Sequence, residues 1–462
     1  MNLERLAGAA ERAGLPFDDP AEVTIVGGDP VYATPYHLGE GAAAALLLVG
    51  QAANRLWLMG GGTRQFLSVD VRHAAASLIS FGFVSLAQAS LPAFEAPVLT
   101  NFFRCREGRF IHLHAGFDEG RHTLERLGLA SPTDRAVVSA FTAQWDAFEL
   151  EQFLGERGLC GAVARTPSEW EGSPQGRWLN GRPAVEILRI GDAPPEPLMG
   201  GPRPLSGVRV LDLTRVLAGP ACARTLAEHG ADVLHIASPH LPTIDRFEMD
   251  TGQGKRQAFL DLTDEEQSQT LRTLAASSDV FSQGFRLGAL AKRGFGPEEL
   301  AELRPGIIYV SETCYGVGGP WGGRPGWEQL AQAATGIAVV HGGDTPALIP
   351  VAFNDYTTGY LAAAGVMEAL RRRALQGGSW HVRVSLAQTS AWYQGFGCDL
   401  DPARAIGLGE TEPFLRERRT GYGTMRFLAP ALRMSETPPH WDLPSAPLGS
   451  GRPEWLEKSE HP

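Results

Sequence analysis

The sequence predicts an α/β protein with a doubly wound, mostly parallel sheet and a second, smaller α+β domain. Three observations lead there. From residue 208 onward, short apolar runs alternate with helical stretches, the pattern of parallel strands joined by crossover helices. The segment RIGDAPPEPLMGGPRPLSG at 189–207 is rich in proline and glycine and marks a boundary before that alternation begins. Ahead of the boundary the pattern is less regular and contains a hairpin signal. At 462 residues the chain has room for two or three domains.

In chain order, residues 1–95 offer a helix, a Gly turn and a strand within TPYHLGEGAAAALLLVGQAANRLWLMGGGTRQFLSVDVRHAA. The apolar run GAAAALLLVGQAA at 41–53 is too short to cross a bilayer and reads as a buried helix. Residues 96–188 make the smaller domain. There FFRCREGRFIHLHAG reads as a hairpin turning at Glu107–Gly108, and helical stretches such as TAQWDAFELEQFLGERG follow. Residues 189–206 are a linker. In the large domain, 207–433, VRVLDL at 208–213 and ADVLHI at 231–236 read as strands around the helix GPACARTLAEHG. TDEEQSQTLRTLAAS is a helix with Thr263 as its cap and Glu266 in capping-box register. DVFSQG, PEELAELR and GIIYVSE continue the alternation and complete a Rossmann-like sheet. The Pro-rich stretch 434–462 is expected to be extended.

A formal charge of −11 disfavours general affinity for nucleic acid or anionic membrane, while small anionic ligands need only a local cluster of donors. The five cysteines, Cys105, Cys160, Cys222, Cys314 and Cys398, form no CxxC pair and fit buried thiols in a reducing cytosol. The start MNLERLAGAAERAGL carries acidic residues and no long apolar core, so it does not read as a signal peptide, and a cytoplasmic protein is expected. A faint repeat runs at a shift of 315 residues, laying Glu40 on Asp355, Leu46 on Leu361, Gly50 on Gly365, Gly62 on Gly377 and Val69 on Val384.

The chemistry turns on VAFNDYTTGYLAAAGVMEAL at 351–370. Asp355 precedes a run of small helix formers, so its spacing suits a helix N-cap. The same place suits a carboxylate nucleophile, because helix N–H groups favour its ionised form. The turn DLTRVLAGP at 212–220 lacks the GxGxxG of dinucleotide sites, and YGVGGPWGG at 315–323 reads as a flexible loop rather than a phosphate cradle. His112 and His114 have no ligand partners at zinc spacing. There is no GxSxG elbow and no P-loop. Lys255–Arg256 and Lys292–Arg293 read as solvated basic pairs, and Arg371–Arg373 as the cationic end of the long helix.

PLSGVRVLDLTRVLAGPACARTLAEHGADVLHI at 204–236 resembles the opening of class III CoA-transferases, the group of formyl-CoA transferase, carnitine-CoA transferase and α-methylacyl-CoA racemase. The likeness continues through GKRQAFLDL, GFRLGALAKRGFGPEEL, RPGIIYVSETCYGVGGP and GWEQLAQAATG to NDYTTG, about 190 residues in order, and LAPALRMSETPP resembles the closing segment. The resemblance implies that Asp355 is the nucleophile of an acyl-CoA:carboxylate CoA-transferase. A CoA thioester is then a substrate, no cofactor is permanently bound, and the partners are an acyl-CoA and a small carboxylic acid.

It further implies CoA contacts at Arg215, Val216, Leu217 and Ala218, at Gly252 to Lys255, at Gly284, Phe285 and Arg286, at Lys292, and at Trp327 and Glu328. Lys255, Arg286 and Lys292 are then phosphate partners. Ser238 stands where an arginine is often found. Trp327 occupies the position at which the racemase branch needs a histidine, which disfavours racemisation. The glycine run that closes over the intermediate in formyl-CoA transferase has no counterpart, and this motivates a second expectation, a CoA-binding or assembly protein with reduced turnover. The order of the pieces implies a fusion of two partial copies in which Glu40 is structural. The interlocked dimers of the family imply either a homodimer or a dimer-like arrangement within one chain.

Overall fold

The β-rich runs after residue 208 pair as the alternation requires. In the computed structural model, which describes residues 1–18, 23–92, 97–117, 120–130 and 133–456, seven strands lie side by side. Their order is Lys255–Phe259, Asp232–Ala237, Arg209–Asp212, Val280–Gln283, Ile308–Thr313, Ser379–Ser385 and Val185–Gly191. The first six are parallel and Val185–Gly191 is antiparallel at the edge. The chain starts at the centre, runs outward to Lys255–Phe259, then crosses to Val280–Gln283, so connections diverge between Arg209–Asp212 and Val280–Gln283. In a doubly wound sheet that switch point opens a crevice at the carboxyl ends of the strands. Val185–Gly191 spans the expected boundary at 188 and belongs to the large sheet. Its alternation of apolar residues was masked by the proline-rich text that follows it.

The smaller unit contains the antiparallel strands Asn101–Arg104, Phe110–Leu113 and Gly161–Val163. Its hairpin turns at Gly108, whose φ of 86° suits glycine. Residues 435–456 contain no helix or strand, and 457–462 lie outside the described residues, as do 93–96 at the first expected boundary.

Two sequence expectations change. The helix over 41–53 extends from Leu38 to Met59, 22 residues, because flanking glycines and polar residues continue it inside the packed core. The helix Glu265–Ala276 is capped by Asp264, whose side chain accepts from Gln267 N, while Thr263 is held by Asp261.

The faint repeat has a geometric counterpart. Glu40 is the third residue of the helix Leu38–Met59, and Asp355 the third of Phe353–Gln376. Gly50 faces Leu67 and Leu432, while Gly365 faces Val382 and Val185. Strand Leu67–Asp70 pairs antiparallel with Leu432–Met434 just as Ser379–Ser385 pairs with Val185–Gly191. Asp70 and Ser385, at the ends of the two strands, each cap the helix that follows.

The two long helices share one apolar core with Ala218–Glu228. They come close at Gly359, where an added Cβ would stand 2.5 Å from Ala218 O and 2.9 Å from Cys222 N. Alanine exceeds glycine in helix propensity by about 1 kcal/mol, yet Gly359→Ala is expected to destabilise the fold by about 1–3 kcal/mol through overpacking. Thermal unfolding checks this, and a variant more stable than the parent would contradict the packing argument.

Candidate functional site

A cavity of about 850 Å³ opens at the sheet's switch point. One wall is built by the segments that leave the strand ends, and the opposite wall by His114–Phe117 and Gly158–Cys160 of the smaller unit.

The first of those segments is shaped by a buried ion pair. Asp212 closes its strand, and its Oδ1 accepts from Thr214 N at 3.0 Å and Thr214 Oγ1 at 2.5 Å. Its Oδ2 meets Lys255 Nζ at 2.8 Å, and Lys255 also donates to Pro220 O at 2.9 Å. Burial tends to raise the Asp212 carboxyl, but Lys255 and its other donors hold it below the usual range. His235 bridges Thr214 O at 3.0 Å and the Gln257 side chain at 2.6 Å. With the turn clamped in this way, Val216 takes φ 72°, a strained conformation for a β-branched residue. Leu217 and Ala218 then lead into the helix Ala218–Glu228.

Opposite, Trp327 stacks on His114, with ring centroids 4.5 Å apart and planes 10° apart, and meets Phe117 edge-on at 5.1 Å. Arg215 lies over Phe117 at 4.8 Å. Arg286 donates to Gly158 O at 3.1 Å, and Arg324 donates to Gln152 Oε1 at 2.5 Å. The three guanidinium groups line the cavity. The loop 315–323 is clasped rather than flexible. Gln175 of the smaller unit donates to Tyr315 O and Gly318 O and accepts from Trp321 N.

Acidic groups form the floor. Asp355 lies in the first turn of Phe353–Gln376, but Ala352 is the N-cap residue, so the cap expectation is corrected. The chain enters this helix three residues earlier than spacing suggests. Among the described residues no donor lies within hydrogen-bonding distance of the Asp355 carboxylate. It keeps a surface on the cavity while protein encloses it, and this desolvation pushes its carboxyl up to about 7. Glu328 accepts from Gln332 Nε2 at 3.0 and 2.9 Å and from Asn354 Nδ2 at 3.3 Å. Burial first and then the nearby Asp355 push its carboxyl well up. Glu312, at the end of Ile308–Thr313, completes the floor.

Of the residues singled out from the sequence, Arg215, Val216, Leu217, Ala218, Gly284, Phe285, Arg286, Trp327, Glu328 and Asp355 line this one cavity. Lys255 and Lys292 do not. Lys255 is 2% exposed and committed to Asp212, so its charge is spent on the turn and not on a phosphate. Lys292 is exposed on a short 3₁₀ turn away from the cavity lining. Gly252–Gly254 are buried outside the lining as well. Sequence reasoning missed Gln175 and Glu312, for which no local signal exists. Glu40 lies elsewhere. Burial works to raise it, but His37, the terminal ammonium at 2.8 Å and Arg5 at 2.8 Å hold it at about 2.

Residues 205–400 match the model of CoA-transferase family III. The acetyl-coenzyme A transferase nodX of Hypoxylon pulicicidum is 34% identical over 333 residues, 66% of this chain and 55% of its own length. An acyl-CoA transferase of Gibberella moniliformis is 36% identical over 307 residues, 60% of this chain and 53% of its own. A CAIB/BAIF family protein from Brucella suis, of solved structure, is 29% identical with a TM-score of 0.40, covering 48% of this chain and 65% of its own. The chain thus spans about half the length of the curated relatives it matches.

Lys255→Met leaves Asp212 buried and unpaired and is expected to cost about 3–5 kcal/mol of stability. Lys292→Ala is expected to change stability by no more than about 0.5 kcal/mol. Urea unfolding of both variants checks the contrast. A Lys255 variant of parental stability that lost only CoA affinity would restore the phosphate role.

Proposed function

We propose that the chain is an acyl-CoA:carboxylate CoA-transferase that works through Asp355. The observation that carries this reading is an unpaired carboxylate on the floor of a cavity whose walls include three arginines, at the start of a helix whose N–H groups favour the anion. The names of the relatives support an acyl-CoA as donor.

The Asp355 carboxylate attacks the thioester carbonyl. The C–S bond breaks, giving a mixed anhydride and CoA thiolate. The thiolate then attacks the aspartyl carbonyl, releasing the donor acid and forming an aspartyl-CoA thioester. An acceptor carboxylate attacks this thioester, giving a second anhydride and thiolate. Attack of that thiolate on the acyl carbonyl forms the new acyl-CoA and restores Asp355. Each step exchanges one acyl bond for another, so protons and electrons balance without metal or redox chemistry. Arg215, Arg286 and Arg324 take the CoA phosphates as charge-assisted donors, and Val216–Ala218 and Trp327 line the path of its arm.

The paired helices and edge strands support a fusion of two partial copies, a dimer-like arrangement within one chain. The ion pairs of Glu40 give it a structural role there. The free thiols support a reducing, cytoplasmic setting.

Incubation with an acyl-CoA and hydroxylamine is expected to leave a hydroxamate at Asp355, located by peptide mass spectrometry. Modification elsewhere would overturn the reading, and CoA binding without exchange would favour the binding protein.

The reactive form is the anion, so kcat/KM is expected to fall about tenfold per pH unit below about 7. The same carboxyl predicts a stability trend. Its folded pKa lies above the ordinary 3.8, so the folded state holds the proton more tightly and stability falls as pH rises from about 4 to 7. Asp355→Asn removes that loss. It is expected to be the more stable protein by about 1–2 kcal/mol at pH 8, allowing for water in the cavity, with the gap closing near pH 4. A gap that widens toward acid would contradict the assignment.

A further inference from the structure

We propose that Glu312 is a further catalytic residue, a protonated carboxyl that donates a hydrogen bond to the thioester carbonyl oxygen as it becomes a tetrahedral oxyanion. This rests on the Asp355 reading above. Glu312 stands at the carboxyl end of the sheet's Ile308–Thr313 strand and is only 7% exposed, yet it lines the same cavity as Asp355. Its Oε1 has no hydrogen-bond partner among the described residues. Its Oε2 lies over a bare backbone, where a Cβ on Gly219 would stand 2.3 Å away and one on Gly284 3.8 Å away. Two glycines thus leave room for a carboxyl that no protein group satisfies, an arrangement that is costly unless a ligand meets it.

The groups facing Glu312 decide its protonation. Asp212 comes from the strand two places away across Val280–Gln283, Lys255 from the strand at the sheet edge two places further on, Asp355 from the long helix and Cys222 from Ala218–Glu228. Lys255 is the sole cation among them, and it is already tied to Asp212. Burial, followed by the charges of Asp212 and Asp355, pushes the Glu312 carboxyl well above its ordinary range. Two carboxyls sharing a cavity divide their roles, since the one that ionises first becomes the nucleophile and the other keeps its proton and donates. No proton is transferred in this step. The O–H strengthens its bond as negative charge develops on the substrate oxygen and relaxes when the thiolate departs.

The test compares Glu312→Ala and Glu312→Gln with the parent chain in acyl-CoA:carboxylate exchange across pH. CoA binding by calorimetry and the melting temperature serve as controls. The alanine variant is expected to lose about 100- to 1000-fold in kcat with CoA affinity unchanged, the size seen for one lost oxyanion donor. The glutamine variant keeps an N–H donor. It is expected to retain activity within about tenfold and to lose the alkaline fall that ionisation of Glu312 imposes on the parent. Full activity in the alanine variant overturns the proposal, as does equal loss in both variants or an alkaline fall that persists with glutamine. If alanine prevents folding, the glutamine pH profile alone decides. A parent chain without exchange on any acyl-CoA overturns the Asp355 reading and this proposal together, whereas an active parent with an unimpaired alanine variant overturns this one alone.

Discussion

The molecule is organised around one close contact between helices. Gly359 lets Phe353–Gln376 settle against Ala218 O, Cys222 N and the Ala221 methyl group with no side chain of its own between them. Asp355 precedes Gly359 by four residues, so both lie on one face of the helix. The contact that locks the two helices therefore also aims the carboxylate at the turn from which the second helix starts. A wider separation would carry Asp355 away from the strained Val216 turn and out of the crevice. Packing and chemistry depend on the same missing Cβ.

Charge is sorted along the cavity by what lies behind each wall. The arginines sit on loops that reach solvent, Arg215 and Arg286 donating to backbone carbonyls and Arg324 to the Gln152 side chain, which leaves donors free for an anion. The carboxyls sit at the ends of buried elements, where water cannot stabilise charge. Asp355 is poised between its two forms by this desolvation, while Glu312 and Glu328 are held further toward the neutral form. Lys255, the cation that would otherwise collapse onto the floor, is held by Asp212 beneath the first turn. That pair separates a positive rim from an acidic floor, and it is why a turn without the usual glycine pattern keeps its shape.

Much of this was legible in the chain because it is carried by short-range pattern. Strands such as VRVLDL and GIIYVSE declare themselves by apolar content between turn residues, and Asp355 stands out as the carboxylate ahead of a small-residue helix. What was not legible depends on partners far away in sequence. Lys255 reads as a free cation until Asp212, 43 residues earlier, closes on it. Glu312 reads as the polar end of a strand because nothing nearby reveals that Gly219 and Gly284 leave it a chamber. Thr263 and Asp264 are both good caps, and only the path of the loop, held by Asp261, selects the second. The 315–323 glycines suggest mobility, but Gln175 from the smaller unit pins them.

The central claim is that Asp355 forms an anhydride with the acceptor acid whose bridging oxygen is supplied by that acid. Turnover with an acceptor carboxylate labelled with heavy oxygen tests this directly, because breaking that anhydride on the acyl side leaves the bridging oxygen on the protein. Peptide mass spectrometry after turnover is predicted to find one heavy oxygen on the segment that carries Asp355. Exchange that proceeds while this carboxyl stays unlabelled would contradict the account.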